Sequence, residues 1–442
     1  MENDNYLKQA NEIVNKLIAS EQKIDDNIIN FLLDSNKNTK YTPEFMKNLC
    51  GEKILKIDLS GFTLLHKCVI LTAKYPNLNN ILRNYFNICS EFHDGINITT
   101  NNGWSALHFV SRYSKNISTK ETVKLLIDVG ANVNLQDNNG RTALHLASRY
   151  SKTTSTEETV KNLIDAGANV DLQDNNGKTA LHLASINSKT DSTEGTVKIL
   201  IDAGSNVNLQ DNDGRSALQL ASGNSRIYST EGTVKILIDA GANVNLQDNN
   251  GCSALHFASL ESKKYSTEGT VKILIDAGAN VNLQNNDGLS ALHLASFGSK
   301  NLSTEDTVKL LIDAGANVNL QNNSGLSALH MASYDSKTKS TKGTVKLLID
   351  AGANVNLQDN DGWAALHMAS RNLANRSAKG TIIMLVLNDA DINLKNNNNK
   401  TPIDLLPDGF EKIKNMFTML IEQKKYNKII GECVICFSEL ES

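Results

Sequence analysis

Eight glycines, Gly103, Gly140, Gly177, Gly214, Gly251, Gly288, Gly325 and Gly362, stand in strict register, each 37 residues (140 − 103) after the last. A fixed period of this size means one unit repeated, with each copy resting on its neighbours. No other feature constrains the fold as much, because short helices cannot hold an apolar face in water alone.

The unit reads from Gly140 to Asn176. Gly140-Arg141-Thr142-Ala143-Leu144-His145-Leu146-Ala147-Ser148 predicts a short apolar helix with Thr142 at its N-cap. A polar stretch, 149–154, separates it from 155–167, where Val160, Leu163 and Ile164 share a helical face behind a Ser/Thr cap and first-turn glutamates. Gly167 ends that helix by adopting the left-handed conformation, and 169–176 carry turn chemistry. Each unit is therefore helix, turn, helix and tight finger.

These residues resemble the ankyrin repeat. The family's G-x-T-P-L-H-x-A opening is present mostly as G-x-[ST]-A-L-H-x-A, and its L-L-x-x-G-A-x-V-N stretch as Leu310-Leu311-Ile312-Asp313-Ala314-Gly315-Ala316-Asn317-Val318-Asn319. The resemblance covers 103–398 strongly and 61–423 with degenerate ends. It implies an all-α ankyrin-repeat solenoid with a β-turn finger in each repeat. Two departures stand out. Alanine replaces the family's proline in all eight strict repeats, proline returning only at Thr401-Pro402; proline suits the first helical turn without being required there. The period also exceeds the usual 33. The extra residues fall between the two helices, as in Ser151-Lys152-Thr153-Thr154, and are expected to lengthen a solvent-facing connection and leave the stacked core alone.

The expected organisation is a helical N-terminal cap at 1–60, ankyrin repeats at 61–398 (the first degenerate, eight regular from 103), a C-terminal capping repeat at 399–424 and a tail at 425–442. A globular chain of 442 residues would split into two or three domains, a requirement that a solenoid removes. The net charge of −4 argues against a dominant nucleic-acid footprint. No apolar run approaches a membrane span, and Met1-Glu2-Asn3-Asp4-Asn5 begins no secretory leader. Cys50, Cys68, Cys89, Cys252, Cys433 and Cys436 form no disulfide framework. The expectation is a soluble, monomeric, intracellular protein of the cytoplasm, with no cofactor, metal, membrane or nucleic-acid partner.

Candidate chemistry reduces to structure in most places. His66, His108, His145, His182, His256, His293, His330 and His367 occupy one column of the repeat, where the resemblance implies that the imidazole ties the loop to the adjacent turn. Gln219 fills that column once, and an amide can hydrogen-bond but cannot act as a catalytic base. Gly177-Lys178-Thr179 mimics a phosphate-binding loop but has Leu172 where the first glycine belongs. Asp211-Asn212-Asp213-Gly214 mimics a calcium loop but has Leu220 where the glutamate belongs. No catalytic set survives.

Near the end, Glu432-Cys433-Val434-Ile435-Cys436-Phe437 resembles the first zinc-ligand pair of a RING domain, the module with which many ubiquitin ligases hold a charged conjugating enzyme. A structural zinc site needs four ligands, and neither Cys nor His follows Cys436. A truncated remnant, a chance pair and a four-cysteine site shared between two chains are all consistent with this. Leu406-Pro407-Asp408-Gly409-Phe410-Glu411 faintly resembles an F-box opening; a capping repeat explains it as well.

Comparison of the repeats with one another separates positions fixed by the fold from free ones. The free columns are the residue after the glycine, the ninth and tenth after it, and the inter-helix loop. In the ankyrin family these places line the concave, partner-binding face. The first column includes Trp104, Arg141, Lys178, Arg215, Cys252, Leu289, Leu326 and Trp363; the ninth includes Arg112, Arg149, Ile186, Gly223, Leu260, Phe297, Tyr334 and Arg371; the tenth begins with Tyr113 and Tyr150. Basic and aromatic groups precede apolar ones, a segregation that drift at unconstrained sites does not predict, and these are residue types enriched at binding hot spots. The expected function is a non-enzymatic scaffold or adaptor binding a protein partner. The alternative is a ubiquitin-ligase-related recognition subunit whose RING is truncated or completed by another chain. Asn-rich, near-identical repeats with a RING-like stub also resemble the ankyrin proteins expanded in giant DNA viruses.

Overall fold

Thr142 sits in extended backbone (φ −89°, ψ 171°), and its hydroxyl accepts the N–H of His145. The imidazole Nδ1 of His145 in turn accepts the Thr142 N–H at 3.1 Å. This is a capping box with histidine in place of the usual glutamate, and it starts the helix by satisfying donors that no intrahelical carbonyl reaches. The second helix starts at Thr156, whose hydroxyl accepts the Thr159 N–H at 3.1 Å, and has Glu157 and Glu158 in its first turn. It closes in a Schellman motif. Gly167 (φ +85°) donates to Ile164 O at 2.9 Å and Ala168 to Leu163 O at 3.0 Å.

The computed structural model describes residues 64–71, 95–115, 118–337, 339–373, 377–415, 417–419 and 422. The expected N-terminal cap at 1–60, the tail at 425–442, and Cys50, Cys89, Cys433 and Cys436 lie outside them. The chain divides into two units between Asn249 and Asn250.

In the first unit α1 (Leu64–Leu71) precedes three complete repeats and part of a fourth: α2 (Ala106–Tyr113) with α3 (Lys120–Asp128), α4 (Ala143–Arg149) with α5 (Glu157–Asp165), α6 (Ala180–Ile186) with α7 (Glu194–Asp202), and α8 (Ala217–Ser222) with α9 (Glu231–Asp239). Each first helix packs on the next first helix and each second helix on the next second, so two helical layers run side by side. The second unit repeats the scheme with α10 (Ala254–Leu260), α11 (Glu268–Asp276), α12 (Ala291–Gly298), α13 (Glu305–Asp313), α14 (Ala328–Tyr334), α15 (Lys342–Asp350), α16 (Ala365–Arg371) and α17 (Lys379–Leu387). Beyond α17, a 3₁₀ turn over Ile403–Leu405 opens at Pro402, packs against α16, and is followed by the buried Leu406, Ile413 and Phe417.

The fingers explain the glycine register. Gly140 has φ +73°, and a Cβ added there would come within 2.7 Å of the Asn175 backbone nitrogen. Asn175 N–H donates to Asn139 O at 2.9 Å and its side-chain amide to Asn138 O at 3.0 Å, so each finger is bonded to the one before it. Handedness and close approach both require glycine at this one position.

Packing departs from the sequence pattern in two respects. On α5, Val160 and Leu163 are fully buried as expected, but Ile164 is half-exposed and Thr159 takes the third core position. The Thr159 hydroxyl donates to Ser114 Oγ of the preceding repeat at 2.7 Å, which satisfies the buried polar group. The inter-helix segment is also more than a lengthened solvent connection. Ser151 and Ser155 are buried, Ser155 Oγ donates to Ser111 O at 2.6 Å, and Lys115 N–H donates to Thr154 O at 3.0 Å. The longer turn forms its own ladder between repeats, as the Lys152 N–H to Asp191 O bond of 2.9 Å shows one repeat on.

Candidate protein-binding face

The histidine column is consumed by the fold. His145 Nδ1 accepts the Thr142 N–H, and Nε2 donates to Lys178 O at 3.0 Å, so both ring nitrogens are committed and the ring is neutral. Burial pushes the imidazoles of His108, His145, His182, His293, His330 and His367 below their ordinary pKa, and that of His66 down to about 4. Among the described residues no cluster of three or more His, Cys, Asp or Glu is placed to hold a metal ion.

The first free column is tied to the finger that closes its own repeat. Trp104 Nε1 donates to Asp137 Oδ2 at 3.0 Å. Arg141 Nε lies 3.6 Å from Asp174 Oδ2, Lys178 Nζ 3.2 Å from Asp211 Oδ2 and Arg215 Nε 3.7 Å from Asp248 Oδ2. These aspartates are buried, and where the bonds are resolved the other oxygen closes the finger: Asp174 Oδ1 accepts the N–H groups of Asn176 and Lys178, each at 2.9 Å. A buried carboxylate needs a compensating cation or donor, so Arg141, Lys178 and Arg215 are not free charges awaiting a partner.

In the second unit the column becomes Cys252 and Leu289, and the finger residue becomes Asn285 and Asn322. Asn285 Oδ1 closes the same turn, accepting the Leu289 N–H at 2.8 Å, and leaves no charge to balance. Leu326 breaks the pattern, because its counterpart Asp359 remains acidic; that carboxylate is half-exposed instead of buried. Much of the segregation along this column is thus a matter of internal charge balance.

The ninth and tenth columns are arranged differently. The Arg112 guanidinium lies 3.9 Å from the Tyr150 ring centroid, 5.3 Å from that of Tyr113 and 5.7 Å from that of Trp104. Arg149 lies 5.2 Å from the same Tyr150 ring. Tyr113 departs from its expected exposure: it is buried, with its ring 5.0 Å from that of Phe109, and serves as a wall of the cluster. Trp104, Arg112, Arg149 and Tyr150 are half-exposed.

Residues 70–157, 151–229, 226–305 and 299–396 each match the family model described as ankyrin repeats, three copies. The chain belongs to the ankyrin-repeat family. Among solved structures it is similar to the ankyrin repeat domain of Bcl-3, described as a unique member of the IkappaB protein family, at 29% identity and a TM-score of 0.44, over 52% of this chain and 95% of that one. Comparison with curated proteins finds no match.

In the second group of ankyrin repeats, Leu260, Leu289, Phe297, Leu326, Tyr334 and Trp363 are all half-exposed and Arg371 is exposed. Lys339 Nζ lies 4.6 Å from the Phe297 ring centroid and the Arg371 guanidinium 5.2 Å from that of Trp363. One surface feature was not singled out by sequence reasoning. Ile227 and Tyr228, adjacent in an inter-helix turn of the first ankyrin unit, are 38% and 45% exposed. The available signal was their apolar character where other repeats have Thr153-Thr154 or Thr190-Asp191. No described helix is long and apolar enough to cross a membrane.

Proposed function

We propose that this ankyrin-repeat chain is a non-enzymatic scaffold that binds a protein partner on the first-helix, concave-side face of its repeats. One observation carries the reading. The caps hold their own helices, and the histidines, the Ser155 and Thr159 hydroxyls and the finger asparagines each bond to a neighbouring repeat, whereas Arg112, Arg149, Leu260, Phe297 and Tyr334 stay half-exposed along one column of the first helices. Arginine, aromatic and large apolar side chains so presented are suited to hot spots. Near-identical, Asn-rich repeats support the narrower proposal of an adaptor directed at a host factor, acting as a monomer in the cytoplasm.

The test is capture of a partner by the full chain and by Arg112→Ala/Arg149→Ala, Phe297→Ala/Tyr334→Ala and the second-helix variant Lys235→Ala. The expected result is loss with either of the first two and retention with Lys235→Ala. Equal capture by all of them would place recognition elsewhere. The recognition-subunit alternative is favoured only by the Cys433-Val434-Ile435-Cys436 sequence, and zinc content decides it: one zinc per two chains, lost on Cys436→Ala, would support a shared site.

A further inference from the structure

Arg112 and Arg149 differ from the other cations of the first unit's free columns. Arg141, Lys178 and Arg215 each face a buried aspartate, while Arg112 and Arg149 form no ion pair with any described residue. The Nε of each, like that of Arg141 and Arg215, is shut off from solvent and has no hydrogen-bond partner, but here no carboxylate among the described residues pairs with it. The two guanidiniums are therefore partly desolvated and compensated only by aromatic ring faces, with no negative charge among the described residues paired to them, an arrangement that favours an arriving anion.

We propose that Arg112, Tyr150 and Arg149 form a recognition site for a phosphorylated side chain on the partner segment, a reading that rests on the binding face proposed above. The Tyr150 ring lies within 5.2 Å of both guanidinium carbons and orders them before the ligand arrives, which reduces the entropy lost on binding. Asp137, the finger carboxylate beside this cluster, accepts the Trp104 indole N–H at 3.0 Å through Oδ2 and finger N–H groups through Oδ1. It is occupied with the finger, and it forms no ion pair with Arg112.

Valence favours phosphate over carboxylate. A carboxylate is satisfied by one guanidinium fork, whereas a phosphate monoester brings up to two negative charges and three terminal oxygens, which suit two forks from successive repeats. The ninth column continues with Ile186 and Gly223 in this unit, so the cationic pair stands by itself. The site takes one phosphate, with neutral or apolar surface next to it.

Fluorescence anisotropy of the full chain with three labelled peptides, identical except for phosphoserine, glutamate or serine at the centre, tests the site. The phosphoserine peptide should bind about tenfold more tightly than the glutamate peptide. Arg112→Gln and Arg149→Gln should each remove most of that preference, and Arg149→Lys, which keeps the charge without the fork, should lose it too. Lys235→Gln, on a second helix, should not change it. Circular dichroism confirms that each variant is folded. Equal binding of the phosphoserine and glutamate peptides, no binding of any peptide at millimolar concentration, or full preference in both Gln variants would overturn the proposal. Partner capture lost with Phe297→Ala/Tyr334→Ala but unaffected by the two Gln variants would sink the phosphate site and leave the binding face standing.

Discussion

Gln219 makes the same capping bond that His182 makes one repeat earlier. Its Oε1 accepts the Ser216 N–H at 2.7 Å, as His182 Nδ1 accepts that of Thr179 at 3.1 Å. Its amide nitrogen donates to Leu246 O at 3.1 Å, while His182 Nε2 lies 3.1 Å from Arg215 O. The column requires an acceptor at a fixed place, while the donor reaches a carbonyl 33 residues on from His182 and 27 residues on from Gln219; the column makes no use of imidazole acidity.

Acid sensitivity follows from that requirement. In the folded protein burial depresses the His182 pKa below its ordinary value, so as pH falls the unfolded chain takes up the proton first. Stability is fully present above the unfolded pKa of about 6.5 and is lost as pH falls below it toward the depressed folded value. His182→Gln should therefore cost little at pH 7.5 and gain on the parent by up to about 2 kcal/mol at pH 5. Gln219→His should show the reverse. Urea midpoints at the two pH values decide it, and equal pH dependence in parent and both variants would refute the neutral-ring account.

The pairing of Arg141 with Asp174 gives a second expectation. Arg141→Ala leaves a buried carboxylate uncompensated; since the guanidinium side chain is 27% exposed, the cost should be about 1–3 kcal/mol, below that of a fully buried pair. Arg141→Leu with Asp174→Asn copies the Leu289 and Asn322 combination and should recover most of it. A double-mutant cycle on thermal unfolding measures the coupling, and additive costs would mean that Arg141 is the free surface charge it resembles in sequence.

The fold was legible in sequence because its rules are local and periodic. Thr142 and Thr156 as caps, Gly167 as terminator and Val160 with Leu163 as core need only spacing within one repeat to be recognised. What escaped depends on contacts between copies or across the full length of one copy. Asp174 reads as turn chemistry, yet it is buried under a cation 33 residues earlier (174 − 141). Ser155 reads as part of the Ser/Thr cap and Thr159 falls outside the apolar face, yet they lie in the interface because Ser111 and Ser114 of the previous repeat satisfy them. Tyr113 and Tyr150 occupy the same column but differ in burial, since only Tyr113 has Phe109 beneath it. A period shows that copies touch without showing which face of one meets which face of the next.

The buried hydroxyls set a third expectation. Thr159 donates to Ser114 Oγ at 2.7 Å, and Thr196 makes the same bond to Ser151 at 2.6 Å. Thr159→Val keeps the shape and removes the donor, so it should cost about 1–2 kcal/mol, whereas Thr159→Ser should cost less despite its smaller side chain. If valine proves as stable as threonine by urea unfolding, packing alone holds this layer together.

Glycine inside a helix gives the last expectation. Gly195 is the second residue of α7, a first-turn position where alanine stabilises a helix over glycine by less than the roughly 1 kcal/mol of a helix interior. The space for its Cβ is taken by the Glu157 carboxylate of the preceding repeat, which also accepts the Thr193 hydroxyl at 2.5 Å. The previous second helix has the complementary arrangement: Lys120 stands where Glu157 would be, and Glu158 replaces the glycine and pairs with it at 2.7 Å. Gly195→Ala should therefore be neutral or destabilising by about 1–2 kcal/mol in the parent and become stabilising once Glu157→Ala has emptied the site. Thermal unfolding of the two single variants and the double variant checks the sign change. If Gly195→Ala stabilises the parent outright, the glutamate moves aside at no cost and the glycine is not held there by its neighbour.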